Sequence, residues 1–210
     1  MADDNPHPCG GPQENCQHMQ WHSRGYLQHL DFADALQFVT FRLCDSVPNS
    51  VIDMWRARLQ SGASYPPVGR SLQKRIEAYS DAGYGQCYLG NDEIARIVSD
   101  ILLRYHGRRY SLIEWCIVPN HVHLLLEVKA GCPLHQTISL IKGLSAKRAN
   151  AKLERKGRFW SPDYFDRAIR DNGHLQLVRA YIRANPVKAG LVKSEQEWPW
   201  GSAWERVLES

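Results

Sequence analysis

Apolar positions along the chain fall into runs of two periods. Residues 36–43, Leu-Gln-Phe-Val-Thr-Phe-Arg-Leu, are β-branched and aromatic and predict a first strand. Ser50 is placed to cap a helix to about Leu59, with Val51, Met54, Trp55 and Leu59 on one face. Tyr65-Pro66-Pro67-Val68-Gly69 breaks it, and a second helix follows over roughly 71–80. Gly83-Tyr84-Gly85 reads as a turn. Asn91 or Asp92 opens a third helix whose stripe is Ile94, Ile97, Val98, Ile101 and Leu102. Tyr110–Val118 is a second strand, Pro119-Asn120 a tight turn, and a third strand runs back to about Val128. Pro133-Leu134 opens a helix to about Leu153, with Leu134, Ile138, Ile141 and Leu144 on its apolar face. Residues 163–170 alternate as a fourth strand. The last helix starts near Asn172 or Gly173 and carries Leu175, Val178 and Ile182. Pro186 is expected to kink or end it, and Gly190 to stop it.

With the two short helices set aside as an insertion at about 50–90, the order is βαββαβ plus a C-terminal helix. This predicts an α+β, ferredoxin-like antiparallel sheet. Residues 1–35 are polar, contain Gly and Pro, show no period, and are expected to be a flexible arm. The main domain is then 36–195. A Trp-rich tail with Trp198, Trp200 and Trp204 occupies 196–210. Such a fold names no function by itself.

Composition is that of a globular domain, 43% hydrophobic and 23% charged over 210 residues. No apolar run approaches the roughly 20 residues of a membrane span. The polar start, Met1-Ala2-Asp3-Asp4-Asn5, lacks a signal-peptide core, so a cytosolic protein is expected. The cysteines are scattered and predict no disulfide framework; Cys116 is expected to pack as a small hydrophobe. The arm holds His7, Cys9, Cys16, His18 and His22, at spacings that match no common zinc finger. The net charge of +4 is concentrated. Residues 142–170 hold nine basic side chains, including Lys142, Lys147, Arg148, Arg155, Lys156 and Arg158, against Glu154, Asp163 and Asp166. Phe159, Trp160, Tyr164 and Phe165 are interleaved. This suits phosphate contacts and base stacking on a nucleic acid, and equally a solvated helix beside a core strand.

The chemistry centres on Pro119-Asn120-His121-Val122-His123. Side chains alternate faces along a strand, so His121 and His123 share one face while Val122, Leu124 and Leu126 take the core face. Two imidazoles on an open strand face are half of a metal site, or simply a pair of strand histidines. In the last helix Tyr181 and Asn185 are four apart and share a face. Asn185 could give a third, oxygen ligand to a divalent metal, and Tyr181 could attack a metal-polarised phosphorus. Alternatively, the two are a capping amide and an ordinary tyrosine.

In this order the motifs resemble those of the REP-associated tyrosine transposases, single-tyrosine HUH nucleases related to small insertion-sequence transposases. The resemblance rests on Pro119–His123, Gly157-Arg158-Phe159-Trp160, Tyr164-Phe165-Asp166-Arg167 and Ile169-Arg170-Asp171. It continues through Tyr181-Ile182, Asn185-Pro186-Val187-Lys188-Ala189-Gly190-Leu191 and Trp198-Pro199-Trp200, covering about 36–204. It implies His121 and His123 as metal ligands, Tyr181 as nucleophile, and Asn185 at a third-ligand position where relatives often carry Gln. It implies Mg²⁺ or Mn²⁺ as cofactor and cutting and rejoining of single-stranded DNA through a 5′-phosphotyrosine. The implied substrate is a palindromic repeat folded as a hairpin. Lys142, Lys147, Arg148, Arg155, Lys156 and Arg158 would hold phosphates, and Trp160 would stack on a base or anchor the core. A bacterial-type, nucleoid-associated protein is implied, as monomer or homodimer. Two rivals are a hairpin-binding module without catalysis and a metal hydrolase that would not need Tyr181. A zinc nucleobase deaminase is excluded by the missing Pro-Cys-x-x-Cys.

Overall fold

Residues 20–23, 28–31, 35–61 and 68–204 are described by the structure, a computed structural model. Strands β1 (Gln20–Ser23) and β2 (Gln28–Asp31) pair antiparallel, with Trp21 opposite Leu30. This ladder was not expected within the polar arm, where short strands of mixed polarity carry no readable period. The rest of the arm before Gln20 lies outside the described residues.

The main sheet follows the expected order. Strand β3 (Leu36–Arg42) leads into the insertion helices α1 (Asn49–Ser61) and α2 (Val68–Asp81), then α3 (Asp92–Tyr105). The hairpin β4 (Tyr110–Val118) and β5 (His121–Val128) follows, then α4 (Leu134–Lys152), β6 (Phe165–Ala168) and α5 (Asn172–Lys188). The strand order is β4-β5-β3-β6 with every neighbour antiparallel, the ferredoxin-like arrangement.

Helix starts follow local chemistry. The Asn91 side chain accepts from the Glu93 and Ile94 amides to cap α3, and Asp171 accepts from His174 to cap α5. Pro186 does not itself end α5; the helix continues two residues further, to Lys188. There the proline has no N–H to give to the carbonyl of Ile182, one turn before the helix stops. The end is a Schellman arrangement: Gly190, at φ +69°, donates to Val187 O, and Leu191 donates to Pro186 O.

Two apolar layers hold the sheet. On one face Val122, Leu124 and Leu126 pack with Val39 and Phe41 against Ile94, Val98 and Ile101 of α3 and Ile138 and Ile141 of α4. On the other, Phe38, Cys116, Val118 and Leu125 meet Val178 and Ile182 of α5. The insertion has its own small core of Val47, Ile52, Leu59, Leu72 and Ile76.

Trp160 belongs to the first layer. It is buried, stands edge-on to Phe41 at 4.8 Å, and donates Nε1–H to Ser145 Oγ at 2.9 Å. It therefore anchors the core and offers no free face to a base, the outcome that corrects its reading as a stacking residue.

Helix α5 is fixed to the sheet by one buried acid. Glu114 of β4, fully buried, accepts from Arg179 Nε at 2.9 Å and from Arg183 Nη2 at 2.8 Å, and Ser202 Oγ donates to its second oxygen. Glu114→Ala would leave two half-buried guanidinium groups without their carboxylate. It is expected to lower stability by about 2–4 kcal/mol, read as a shifted midpoint of urea unfolding with little change of slope.

Candidate metal and tyrosine site

The period-two pattern of β5 puts His121 and His123 on the α5 side of the sheet. Their face is not open as the sequence suggested. α5 and α2 roof it, and the two rings are 1% and 0% exposed. Around them a pocket is lined by Thr40 and Arg42 of β3, Phe165 of β6, and Gln73, Ile76, Glu77, Ser80 and Asp81 of α2.

Cross-strand register supplies the first supports. Thr40 sits opposite His123, and its Oγ1 lies 2.8 Å from His123 Nδ1. A hydroxyl can donate or accept, so it serves either tautomer of His123. His121 is more constrained. The Asn120 amide donates through Nδ2 to Ser80 O and Tyr84 O, at 2.9 and 3.0 Å, which orients Oδ1 toward His121 Nδ1 at 2.7 Å. An amide oxygen only accepts, so Nδ1 carries the proton and Nε2 keeps its lone pair. Burial, with Arg42 adding to it, pushes the His121 pKa down to about 3. His123 is likewise held well below the usual histidine range by burial, then by His121 and Lys188. Both rings are neutral near pH 7, the form that ligates metals.

The two Nε2 atoms face each other at 2.8 Å, and Asn185 Nδ2 lies 3.2 Å from His123 Nε2. Asp81 Oδ1 is 3.5 Å from His121 Nε2. Among the described residues, Asp81, His121 and His123 bring ligand atoms within 4.8 Å of one another. Two neutral imidazoles with a carboxylate and an amide are a donor set that fits a divalent cation.

Tyr181 stands one helical turn before Asn185 on α5. Its ring centroid is 5.2 Å from that of His123, and Lys188 Nζ lies 4.8 Å from the ring centre. Burial first, then Asp81 and Glu77, raise the Tyr181 pKa, so its phenol keeps its proton at neutral pH. The Asp81 carboxyl is itself raised by burial, against the opposing pulls of Lys188 and Asn185.

Thus His121, His123, Asn185 and Tyr181 come together in one place. The basic residues do not. Lys147, Arg148, Lys156 and Arg158 are exposed on and after the end of α4. Arg155 stacks over the Tyr88 ring at 4.8 Å. Lys142 turns inward and donates to the Pro162 and Asp163 carbonyls, and its pKa falls to about 8 through burial. Thr40 and Asp81 escaped the sequence reading, and Asn120 was read there as a turn and motif residue without its role toward His121. Pairing β3 against β5 would have found Thr40, but no local signal marks Asp81.

The sequence model of the family described as "Transposase IS200 like" matches residues 90–185. A candidate REP-associated tyrosine transposase of Haemophilus influenzae is 28% identical over 103 residues, 44% of this chain and 58% of that protein. A REP-associated tyrosine transposase of Escherichia coli K12 is 26% identical over 96 residues, 45% of this chain and 55% of that protein. The chain thus spans little more than half the length of these curated relatives. Among solved structures, a REP-associated tyrosine transposase bound to a REP hairpin aligns with a TM-score of 0.50 and 18% identity. That alignment covers 90% of this chain and 86% of the other, and it speaks to the fold. Over sequence and fold together, the chain resembles the REP-associated tyrosine transposases and carries an IS200-like transposase match across its hairpin, α4 and the tyrosine helix.

Proposed function

We propose that this chain is a metal-dependent single-strand DNA endonuclease and strand transferase. It cuts and rejoins DNA at repeated palindromic hairpins through a 5′-phosphotyrosine link. The observation that carries the reading is the convergence of two neutral histidines, Asn185 and the Tyr181 ring in one buried pocket. The relatives named as tyrosine transposases, and the hairpin-bound structural neighbour, agree with it.

In this reading His121, His123 and Asn185 hold Mg²⁺ or Mn²⁺. The bound cation supplies Lewis acidity at a phosphate oxygen. The chain's residues do the rest. Tyr181 Oη forms a bond to phosphorus as the bond to the 3′-oxygen breaks, leaving a 3′-hydroxyl after protonation. The phenol must lose its proton during attack, and α2 makes that harder by placing Asp81 and Glu77 nearby. Lys188 Nζ lies over the ring, 4.8 Å from its centre, a cation beside the nucleophile. Asn120 and Thr40 keep the imidazoles aimed. Rejoining is the reverse, with a 3′-hydroxyl displacing Tyr181.

A 3′-labelled single-stranded hairpin from genomic repeats, incubated with Mn²⁺ and run on a denaturing gel, tests the reading. Wild type is expected to form a labelled covalent adduct. Tyr181→Phe and His121→Ala are expected to form none while keeping hairpin affinity within about threefold, because each change removes a reacting or ligating group and leaves the exposed basic surface intact. Hairpin binding without any adduct in the wild type would instead favour a recognition module.

The exposed cations make a separate prediction. Lys147→Ala with Arg148→Ala is expected to weaken hairpin binding about tenfold or more and to reduce its log–log salt slope by about 1.5–2. Stability should change by about 0.5 kcal/mol or less. Filter binding across salt concentrations measures the first effect and thermal melting the second.

A further inference from the structure

The α1–α2 insertion reaches the candidate site, and it does so with a carboxylate. Three electron-pair donors converge there, on Asp81, His121 and His123. His121 Nε2 is a bare lone pair, because Asn120 takes the ring's only proton at Nδ1. His123 Nε2 lies 2.8 Å from it. Asp81 Oδ1 lies 3.5 Å from His121 Nε2, out of contact with solvent, and accepts no hydrogen bond. Asn185 Nδ2, 3.2 Å from His123 Nε2, can donate there, while no donor reaches Asp81 Oδ1. A carboxylate oxygen against an imidazole lone pair is repulsive unless a proton or a metal cation lies between them.

The placement of Asp81 is built. The Asn120 amide that sets the His121 tautomer also grips Ser80 O and Tyr84 O, on either side of Asp81. One side chain therefore fixes both the ligating nitrogen and the helix end that presents the carboxylate. We propose that Asp81 is a ligand to the divalent cation, so that metal binding staples the insertion helix α2 onto the catalytic sheet. The proposal rests on the reading that His121 and His123 bind such a cation. Glu77 lines the same pocket one turn earlier but stands outside the ligand group, which makes it the control.

The test titrates the full chain with Mn²⁺ and follows the free aquo ion by electron paramagnetic resonance. Wild type, Asp81→Asn, Glu77→Gln and His121→Ala are compared, with melting in chelator as the check on folding. Asp81→Asn is near-isosteric and one-third exposed, so little loss of stability is expected. Asp81→Asn is expected to raise the Mn²⁺ Kd about tenfold or more, and Glu77→Gln less than about twofold. Hydrogen exchange gives a second readout: Mn²⁺ should slow exchange across the end of α2 in wild type but not in Asp81→Asn. If Asp81→Asn binds and protects like wild type while His121→Ala loses Mn²⁺, the Asp81 assignment is overturned and the histidine site stands. If wild type binds no Mn²⁺, both readings fall.

Discussion

Alternation of side chains along β5 is the constraint from which the site follows. Val122, Leu124 and Leu126 are fully buried against α3 and α4. Each contributes roughly 1.5–3 kcal/mol to keeping the strand in this register. A slip by one residue would send the histidines into that apolar layer and three aliphatic chains toward α5. The hydrophobic set therefore decides where the imidazoles point. The same burial that fixes their direction keeps them uncharged.

The facing helix is located by different physics. α5 has few buried apolar positions, Val178 and Ile182 among them. Its docking relies in part on Glu114, a buried charge answered by Arg179 and Arg183 on the flank of the helix. Ion pairs of this kind are directional, which suits a helix that must hold Tyr181 and Asn185 opposite a particular pair of atoms. Asn120 does the equivalent for the insertion. The pocket is thus assembled from three separately anchored pieces, each also packed through its own apolar cluster.

What the sequence disclosed follows from which interactions are local. Strands β3, β4 and β5 and helices α3 and α4 are legible because period, caps and turn residues lie within each segment. Strand and helix periods put His121 with His123, and Tyr181 with Asn185, on one face each, but joining the two pairs took the ordered motifs of the resemblance and not the periods. Pro186 marked the end of α5 only to within two residues, because the stop itself is made at Gly190. Trp160 and Lys142 misled because a basic, aromatic stretch looks alike whether its members face solvent or, as here, reach Ser145 and the Pro162 carbonyl. Asp81 was invisible: it meets His121 only through the tertiary packing of the insertion, 40 positions away in the chain.

The tryptophan-rich segment after α5 has a role of its own. Strand β4 is at the margin of the sheet, yet Ile117 donates to Trp200 O, Gly201 bridges to Cys116, and Trp198 Nε1 donates to Ile117 O. The chain lays its own backbone where an added strand would pair. A sheet margin filled in this way has no template to lend, so a second molecule could extend this sheet through the middle of β4 only by first peeling residues 198–202 away.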